Sequence, residues 1–200
     1  MCLSNVSDND MNFEFFEIDI ETKESPDKVR ELIQGLLLET YQISYTSDND
    51  HFYSEIDDHF KKVDEGIEIA CFDVSQTEDE SWRFTLEFAY FPLNKEKYGA
   101  YPDFKLAEQI HQKFTWNCIC SRQDIFNDID EYDPYWGISL VNKKWYLCDL
   151  GGSVLMGPYT DEKNKIEGDQ GIILSYELGK IGMEFRKGKY SLQQLKNESH

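Results

Sequence analysis

Basic residues are scarce in this 200-residue sequence: 20 lysines and arginines stand against 39 aspartates and glutamates, which gives a formal net charge of −19. A surface of that charge repels nucleic-acid phosphates and anionic lipid headgroups at neutral pH, and it attracts basic proteins. Binding to nucleic acid is therefore the ordinary function that the composition supports least. Acidity also serves solubility alone, and this alternative explanation of the charge stays open.

Long apolar stretches are also missing. No run approaches the roughly 18 to 20 apolar residues of a membrane-spanning helix. Residues 1–11 lack both the basic region and the apolar core of a signal peptide. We therefore expect no association with a membrane, and we expect a cytoplasmic location.

The sequence lacks the motifs of several common enzyme classes. It contains no Gly-x-x-x-x-Gly-Lys, no Gly-x-Gly-x-x-Gly after a strand and no Gly-x-Ser-x-Gly. These absences remove the classes that are easiest to recognise without excluding an enzyme. We predict neither catalytic residues nor a cofactor.

Cysteine is present in a pattern that argues against a disulfide framework. The cysteines are odd in number and lie mostly in apolar, strand-like runs, where a free thiol packs as a small apolar group: Cys2, Cys71, Cys118, Cys120 and Cys148. Cys118 could pair with His111 as a thiol and its base. Both residues lie in apolar patterns, so core packing is the favoured interpretation.

The 40% of hydrophobic and 14% of aromatic residues suffice for a packed core. Residues 1–11 are polar and predict a flexible tail. Residues 12–196 predict a single domain, because no linker rich in proline, glycine or serine and no internal repeat interrupts them.

Residues 12–121 predict an α/β front. Phe16, Ile18 and Ile20 alternate with acidic residues, which is the period of a half-buried strand. The predicted order is a strand at 13–21, a helix that begins at Ser25-Pro26, a helix from about 47 to 63, a hairpin of 67–74 with 82–91, a helix capped by Asp103, and a strand at 116–120. Without the second helix, this order is the split βαβ arrangement.

Residues 135–190 predict a β-rich extension. One hairpin joins 135–141 to 145–150, and a second joins 172–178 to 181–185 through a turn at Gly179-Lys180. The predicted fold class is therefore α+β, an antiparallel sheet with two or three helices on one face and with C-terminal hairpins. The pattern leaves open whether these hairpins extend the first sheet or form a second one.

Residues 124–136, here called the acidic segment, alternate five carboxylates with large apolar side chains. The spacing fails the EF-hand pattern, because a loop counted from Asp124 or Asp128 has neither glycine at its sixth position nor glutamate at its twelfth. A looser divalent site remains an alternative. Without a cation the carboxylates repel one another, so the segment should be a weakly held loop unless something basic covers it.

A second metal hypothesis concerns His51, Glu55 and His59. Their spacing of four residues places them on one face of the predicted helix, where they could bind zinc. The motif His-Glu-x-x-His is absent and no fourth ligand is indicated, so a solvated helix edge is the favoured interpretation. A metal-dependent enzyme or metal-binding protein is the alternative function that these residues leave open.

In size, acidity and aromatic content, the chain resembles the immunity proteins of bacterial toxin systems. This resemblance implies an acidic protein that neutralises a basic partner, such as a toxin domain, by stoichiometric binding rather than by catalysis. An acidic mimic of nucleic acid that blocks a DNA-binding enzyme is a further alternative. The residues predicted to contact the partner are Asp124, Asp128, Asp130, Glu131, Tyr132, Asp133, Tyr135 and Trp136, with Asp48, Asp50, Asp57 and Asp58 as a second patch.

Overall fold

The computed structural model describes residues 14–41, 70–76, 83–90, 101–129, 136–149, 166–167 and 173–198. The elements within these ranges are β1 (Glu14–Glu21), α1 (Pro26–Tyr41), β2 (Ala70–Gln76), β3 (Arg83–Tyr90), α2 (Pro102–Phe114), β4 (Asn117–Cys120), β5 (Trp136–Val141), β6 (Lys144–Asp149), β7 (Ile166–Glu167), β8 (Ile173–Lys180) and α3 (Leu192–Glu198). The helix predicted at 47–63 and the tail at 1–11 lie outside the described residues.

All the strands in these ranges belong to one antiparallel sheet with the order β2-β3-β1-β4-β5-β6-β8-β7. Its first four strands have the neighbours expected of the split βαβ arrangement, and the predicted α+β class is confirmed. The strands of the C-terminal half continue the same sheet, which resolves the alternative that the sequence left open.

Helix α1 begins where the sequence predicts. Pro26 is its first residue, and the Ser25 Oγ accepts a hydrogen bond from the Lys28 amide at 3.4 Å. The apolar side of the helix is buried in the core through Val29, Ile33, Leu36 and Leu37. These residues recur at helical spacing, so the helix is amphipathic.

Helix α2 begins at Pro102, but Asp103 is not its cap. The residue before the helix is Tyr101, and no side chain caps the helix there. Proline already supplies a helical φ at the first position and has no amide hydrogen that needs an acceptor. The Asp103 carboxylate is free for another role, and it is buried against Arg122.

The hairpin of β5 and β6 is confirmed, and it turns at Asn142-Lys143. Both residues have positive φ, 50° and 65°, as the tightest two-residue hairpin turns require. The second predicted hairpin is wrong. Strand β8 runs through Gly179 to Lys180 and pairs with β6, while residues 181–185 form no strand.

The main core lies between the sheet and helices α1 and α2. It joins apolar side chains of the front, such as Ile20 and Phe84, to those of the extension, such as Trp145 and Leu147. A smaller buried cluster, comprising Ile119, Val141, Tyr146, Cys148 and Leu174, comes from alternate positions of the central strands. None of the described helices is long and apolar enough to cross a membrane.

Candidate functional site

A cleft opens where β4 ends beside the longer β1. Strand β4 pairs with β1 only from Ile18 to Glu21, and after Cys120 the chain turns away. This leaves a volume of about 650 Å³ between the first residues of β1 and the loop that follows β4. The cleft is lined by Phe15, Phe16, Glu17, Asp103, Ser121, Arg122, Gln123, Asp124, Phe126, Ile129 and Lys187.

The apolar wall of the cleft includes an exposed aromatic ring. Phe15 is 56% exposed, and no other large apolar side chain among the described residues is exposed. Its neighbour Phe16 points to the opposite face of β1 and stacks on Phe88 with ring centroids 4.9 Å apart. The ring of Phe15 is therefore exposed to solvent at the cleft, whereas Phe16 is part of the packed structure.

Asp103 places a carboxylate in the buried part of the cleft. The residue is 1% exposed, and its Oδ2 accepts a hydrogen bond from the Arg122 Nε at 3.2 Å. Burial raises the pKa of Asp103, and the Arg122 charge and the amides of the first turn of α2 offset part of this rise. The other oxygen, Oδ1, is buried without a hydrogen-bond partner of acceptable geometry among the described residues.

Asp124 lies beside this pair at the surface. Its Oδ2 accepts a hydrogen bond from the Tyr101 hydroxyl at 3.1 Å, and the Arg122 guanidinium lies 5.2 Å from the centroid of the Tyr101 ring. Burial, followed by the charge of Asp124, raises the pKa of Tyr101 to about 12. Tyr101 thus stays a neutral hydrogen-bond donor that orients Asp124 at the cleft.

A row of three acids starts at the cleft and crosses the sheet. Glu17 of β1 lies opposite Glu87 of β3, which in turn lies opposite Asp73 of β2, and we call these three residues the acidic row. Burial, then Glu17 and then Asp73, raises the pKa of Glu87. Arg30 contacts Asp73 at 3.5 Å at one end of the row. Directly opposed like charges repel one another and destabilise a sheet, and these three acids lie on one side of it.

The start of the acidic segment is fixed by the C-terminal part of the chain. The Asp124 carbonyl accepts from the Gly188 amide at 2.9 Å, and Phe126 forms a parallel bridge with Tyr190. Asp128 binds the first turn of α3 through the Leu192 amide at 2.7 Å and the Gln193 amide at 2.9 Å. These bonds lower the pKa of Asp128. The predicted contact residue Asp128 thus already stabilises the fold.

Trp136 is only half-buried, and it packs against the main core. Its carbonyl accepts a hydrogen bond from the Gln123 side chain at 2.6 Å. Among the described residues predicted to contact a partner, which are Asp124, Asp128 and Trp136, only Asp124 lines the cleft. The other predicted contact residues, Asp48, Asp50, Asp57, Asp58, Asp130, Glu131, Tyr132, Asp133 and Tyr135, lie outside the described residues.

The predicted metal ligands His51, Glu55 and His59 also lie outside the described residues. Within the described ranges, no group of three or more His, Cys, Asp or Glu side chains could hold a metal ion.

The pairing of Cys118 with His111 does not form a nucleophile and base. The His111 Nδ1 donates to the Trp116 carbonyl at 2.6 Å, and its Nε2 accepts from the Lys143 amide at 3.1 Å. Both ring nitrogens are therefore engaged, and the ring is neutral in this arrangement. Burial raises the pKa of the Cys118 thiol, which disfavours the reactive thiolate. Both residues lie in the core, as predicted.

Sequence reasoning missed Phe15, Glu87 and Asp103 as parts of a site. A signal for Phe15 was present, because it is an apolar residue on the acidic face of an alternating strand. Glu87 lies beside Glu17 because of the strand register, and Asp103 lies beside Arg122 because of the tertiary fold. Neither can be read from local sequence patterns.

No protein-family model, curated protein or solved structure matches this chain.

Proposed function

We propose that this chain is an acidic binding protein that neutralises a basic protein partner, and specifically that it acts as an immunity protein that blocks a toxin domain by stoichiometric binding. The observation that carries the proposal is the juxtaposition of the acidic row with the exposed ring of Phe15 at one cleft. Negative charge attracts and orients a basic partner, and an exposed aromatic ring supplies apolar contact area.

The electrostatics of the row support this function over solubility alone. Charges spread evenly over a surface would serve solubility at little cost, whereas Glu17, Glu87 and Asp73 are directly opposed across three strands. The mutual repulsion raises the free energy of the unbound protein. A lysine or arginine of a partner placed beside the exposed Glu17 would relieve part of this repulsion, which adds to the affinity that contact area alone would provide.

The net charge of −19 attracts a basic partner over a longer distance. Complementary charge increases the rate of encounter between two proteins, and this increase falls with ionic strength. A protein that must intercept a toxin before it acts benefits from fast association. Inhibition by binding requires no catalytic group.

The experiment that tests the proposal uses the reading frames adjacent to the one that encodes this chain. Any basic C-terminal domain encoded there is purified and mixed with this protein, and complex formation is followed by titration calorimetry together with the toxic or enzymatic activity of the domain. We expect a complex of equal stoichiometry and loss of activity at equivalence. Absence of a complex with every basic neighbour would contradict the immunity role.

The carboxylates chosen for substitution should be ones that do not stabilise the fold. Reversal at Asp128 would also remove the bonds that fix the start of α3, so a lost interaction could not be assigned to the interface. Glu17→Gln and Asp124→Asn change exposed carboxylates at the cleft instead. Glu24→Gln with Asp27→Asn is the matched control, because these acids are exposed and follow the opposite end of β1.

A further inference from the structure

We infer that an extended segment of the basic partner adds a strand to the sheet along the edge of β1 at residues 14–17, with one of its basic side chains beside Glu17. This inference rests on the proposed function and names how the partner is held at the cleft. It follows from the strand pairing of β1, from the residues that line the cleft and from their charges.

The cleft runs along the edge of β1 and not over one face of the sheet. It is lined by three consecutive residues of this strand, Phe15, Phe16 and Glu17. Successive side chains of a strand point to opposite faces. Phe16 stacks on Phe88, whereas Glu17 belongs to the acidic row. A cavity that touches all three consecutive residues therefore lies beside the strand.

This edge of β1 is the position that β4 occupies further along the strand. Strand β4 pairs with residues 18–21 of β1, whereas β3 pairs with residues 14–21 on the other side. Backbone groups of alternate residues in an antiparallel strand face the same edge, so two of residues 14–17 direct their N–H and C=O groups towards the cleft. A sheet edge of this kind binds an extended peptide through main-chain hydrogen bonds.

The dimensions of the cleft suit a short extended segment. Four strand residues span about 13 Å at about 3.3 Å per residue. The cleft volume of about 650 Å³ lies within the range of about 300 to 1,000 Å³ of ligand-binding pockets. Its far wall includes Ser121, Arg122 and Asp124 of the loop after β4. A strand between β1 and this wall would continue the sheet where β4 ends.

The charges of the cleft select a basic segment. Glu17 and Asp124 present exposed carboxylates at the cleft. Of the two basic residues in the lining, Arg122 is bound to Asp103 and Lys187 is exposed. Residues opposite one another on neighbouring strands have side chains on the same face. A lysine or arginine opposite Glu17 would therefore lie against its carboxylate.

Apolar side chains determine the rest of the expected segment. The residue next to the basic one would lie beside Phe16, and the following residue would lie beside the exposed ring of Phe15. Phe126 and Ile129 also line the cleft. The segment that fits best therefore places two apolar residues beside a basic one.

A second copy of this chain is a poor occupant of the same edge. Each copy has a net charge of −19, and pairing of the two edges would bring Glu17 of both copies together. Like charges on neighbouring strands destabilise a sheet. The charge that favours a basic segment thus disfavours self-association.

The test uses the full chain and a peptide in place of the partner, acetyl-Lys-Val-Ile-Val-Lys-amide. Its sequence reads the same in both directions, so it fits whether it runs parallel or antiparallel to β1. Saturating peptide should slow hydrogen exchange about tenfold or more at one alternate pair of amides, either 14 and 16 or 15 and 17. Exchange that is unchanged at all four amides would overturn the inference.

Two N-methylated peptides show whether binding uses one edge of the added strand. One peptide is methylated on both valine amides, and the other on the amides of the isoleucine and the second lysine. Because these two sets of amides face opposite edges, one peptide should bind about tenfold or more weakly than the unmodified peptide. The other should bind within about threefold of it. Equal affinities of the two methylated peptides would overturn the inference.

Variants of the peptide and of the protein test the role of charge. The peptide in which glutamate replaces both lysines should not bind. Glu17→Gln should weaken binding of the lysine peptide about threefold, and Asp27→Asn, an exposed acid of α1, should leave it unchanged. Thermal unfolding checks that both variants are folded. Equal affinities for the lysine and glutamate peptides, or an unchanged affinity in Glu17→Gln, would count against the inference.

The same measurement identifies a different occupant. In the absence of peptide, exchange at residues 14–17 should not depend on protein concentration. Exchange that slows as the protein is concentrated would show that a second copy occupies the edge, and it would overturn the inference.

Failure of this inference and failure of the proposed function are distinguishable. A complex with the basic neighbour that leaves exchange at residues 14–17 unchanged would overturn the added strand and leave the binding function standing. Peptide binding that protects these amides, together with no complex with any basic neighbour, would support the added strand and contradict the immunity role.

Discussion

At the scale of single residues, Asp103 combines two opposed effects. Desolvation disfavours its charge, while Arg122 and the start of α2 favour it, and desolvation is the largest of these effects. The pKa of this buried acid is thus set by the balance of these effects. His111 is different, because both ring nitrogens are bonded and the ring connects α2 to the starts of β4 and β6.

The raised pKa of Asp103 predicts a pH dependence of stability. The folded protein binds a proton at Asp103 more tightly than the unfolded chain, in which the ordinary value of 3.8 applies. The stabilisation is complete below 3.8 and is lost as the pH rises through the raised value. We expect the free energy of unfolding of the wild type, relative to Asp103→Asn, to decrease from about pH 4 towards neutrality. Urea denaturation at a series of pH values measures this difference, and a constant or increasing difference would be inconsistent with a raised pKa.

At the scale of elements, Asp128 stabilises the start of α3. It accepts hydrogen bonds from the Ser191 hydroxyl and from the first two amides of the helix. These amides have no acceptor within the helix, so a carboxylate from elsewhere in the chain satisfies them in the manner of a cap. The start of the acidic segment is thereby tied to the C-terminal helix.

Replacement of Asp128 tests this role. Asp128→Ala should cost about 0.5 to 2 kcal/mol, the range for loss of an N-terminal helix cap. Hydrogen exchange should accelerate at the amides of Leu192 and Gln193, because both lose their acceptor. Asp27→Ala, at an exposed position of α1, is the control and should leave these amides unaffected. Unchanged exchange at residues 192 and 193 in Asp128→Ala would show that α3 does not depend on the carboxylate.

Gly179 explains why β8 does not turn where the sequence predicts. Gly179 has a φ of 154° and lies in β8 opposite Trp145, next to a shift in the strand register. A Cβ atom built on it would lie 1.4 Å from the Met183 Sδ. The glycine therefore allows residues 181–185 to fold back over the sheet. The sequence shows the glycine but not the reason for it, because a turn and a close approach both require the same residue.

A pair of glycine substitutions tests this explanation. Gly179→Ala should destabilise the protein by about 1 to 3 kcal/mol, chiefly through backbone strain at its φ of 154°, because the Met183 side chain is flexible and can move aside. Gly35→Ala should instead stabilise it by about 0.5 to 1 kcal/mol, because Gly35 lies within α1 and nothing approaches its Cβ position within 4 Å. Thermal unfolding of both variants gives the two changes. A Gly179→Ala variant as stable as the wild type would contradict this explanation.

Local periodicity predicted much of the fold. The strand β1, the start of α1 and the β5–β6 hairpin each follow from spacing or from a capping or turn residue within a few positions. The single sheet did not follow, because the pairing of β6 with β8 joins segments about 30 residues apart. The cleft was even less accessible to sequence reasoning, since it depends on β4 being shorter than β1 and on the burial of Asp103.

At the scale of the whole molecule, the two sides of the described sheet carry different side chains. One side buries apolar residues against α1 and α2, and the first strands present the acidic row on the other side. The net charge of −19 adds a long-range attraction for basic molecules, because acidic residues outnumber basic ones. The proposed function requires that a basic partner be attracted by this charge and bind at the cleft.

The most direct measurement is the salt dependence of affinity for the basic neighbouring domain. We expect the wild-type affinity to fall at least about tenfold between about 50 and about 300 mM salt, because screening weakens attraction between surfaces. The double variant Glu17→Gln, Asp124→Asn should bind more weakly and with a smaller salt dependence, while Glu24→Gln, Asp27→Asn should match the wild type. Equal affinity and equal salt dependence in all three proteins would contradict the cleft as the recognition surface.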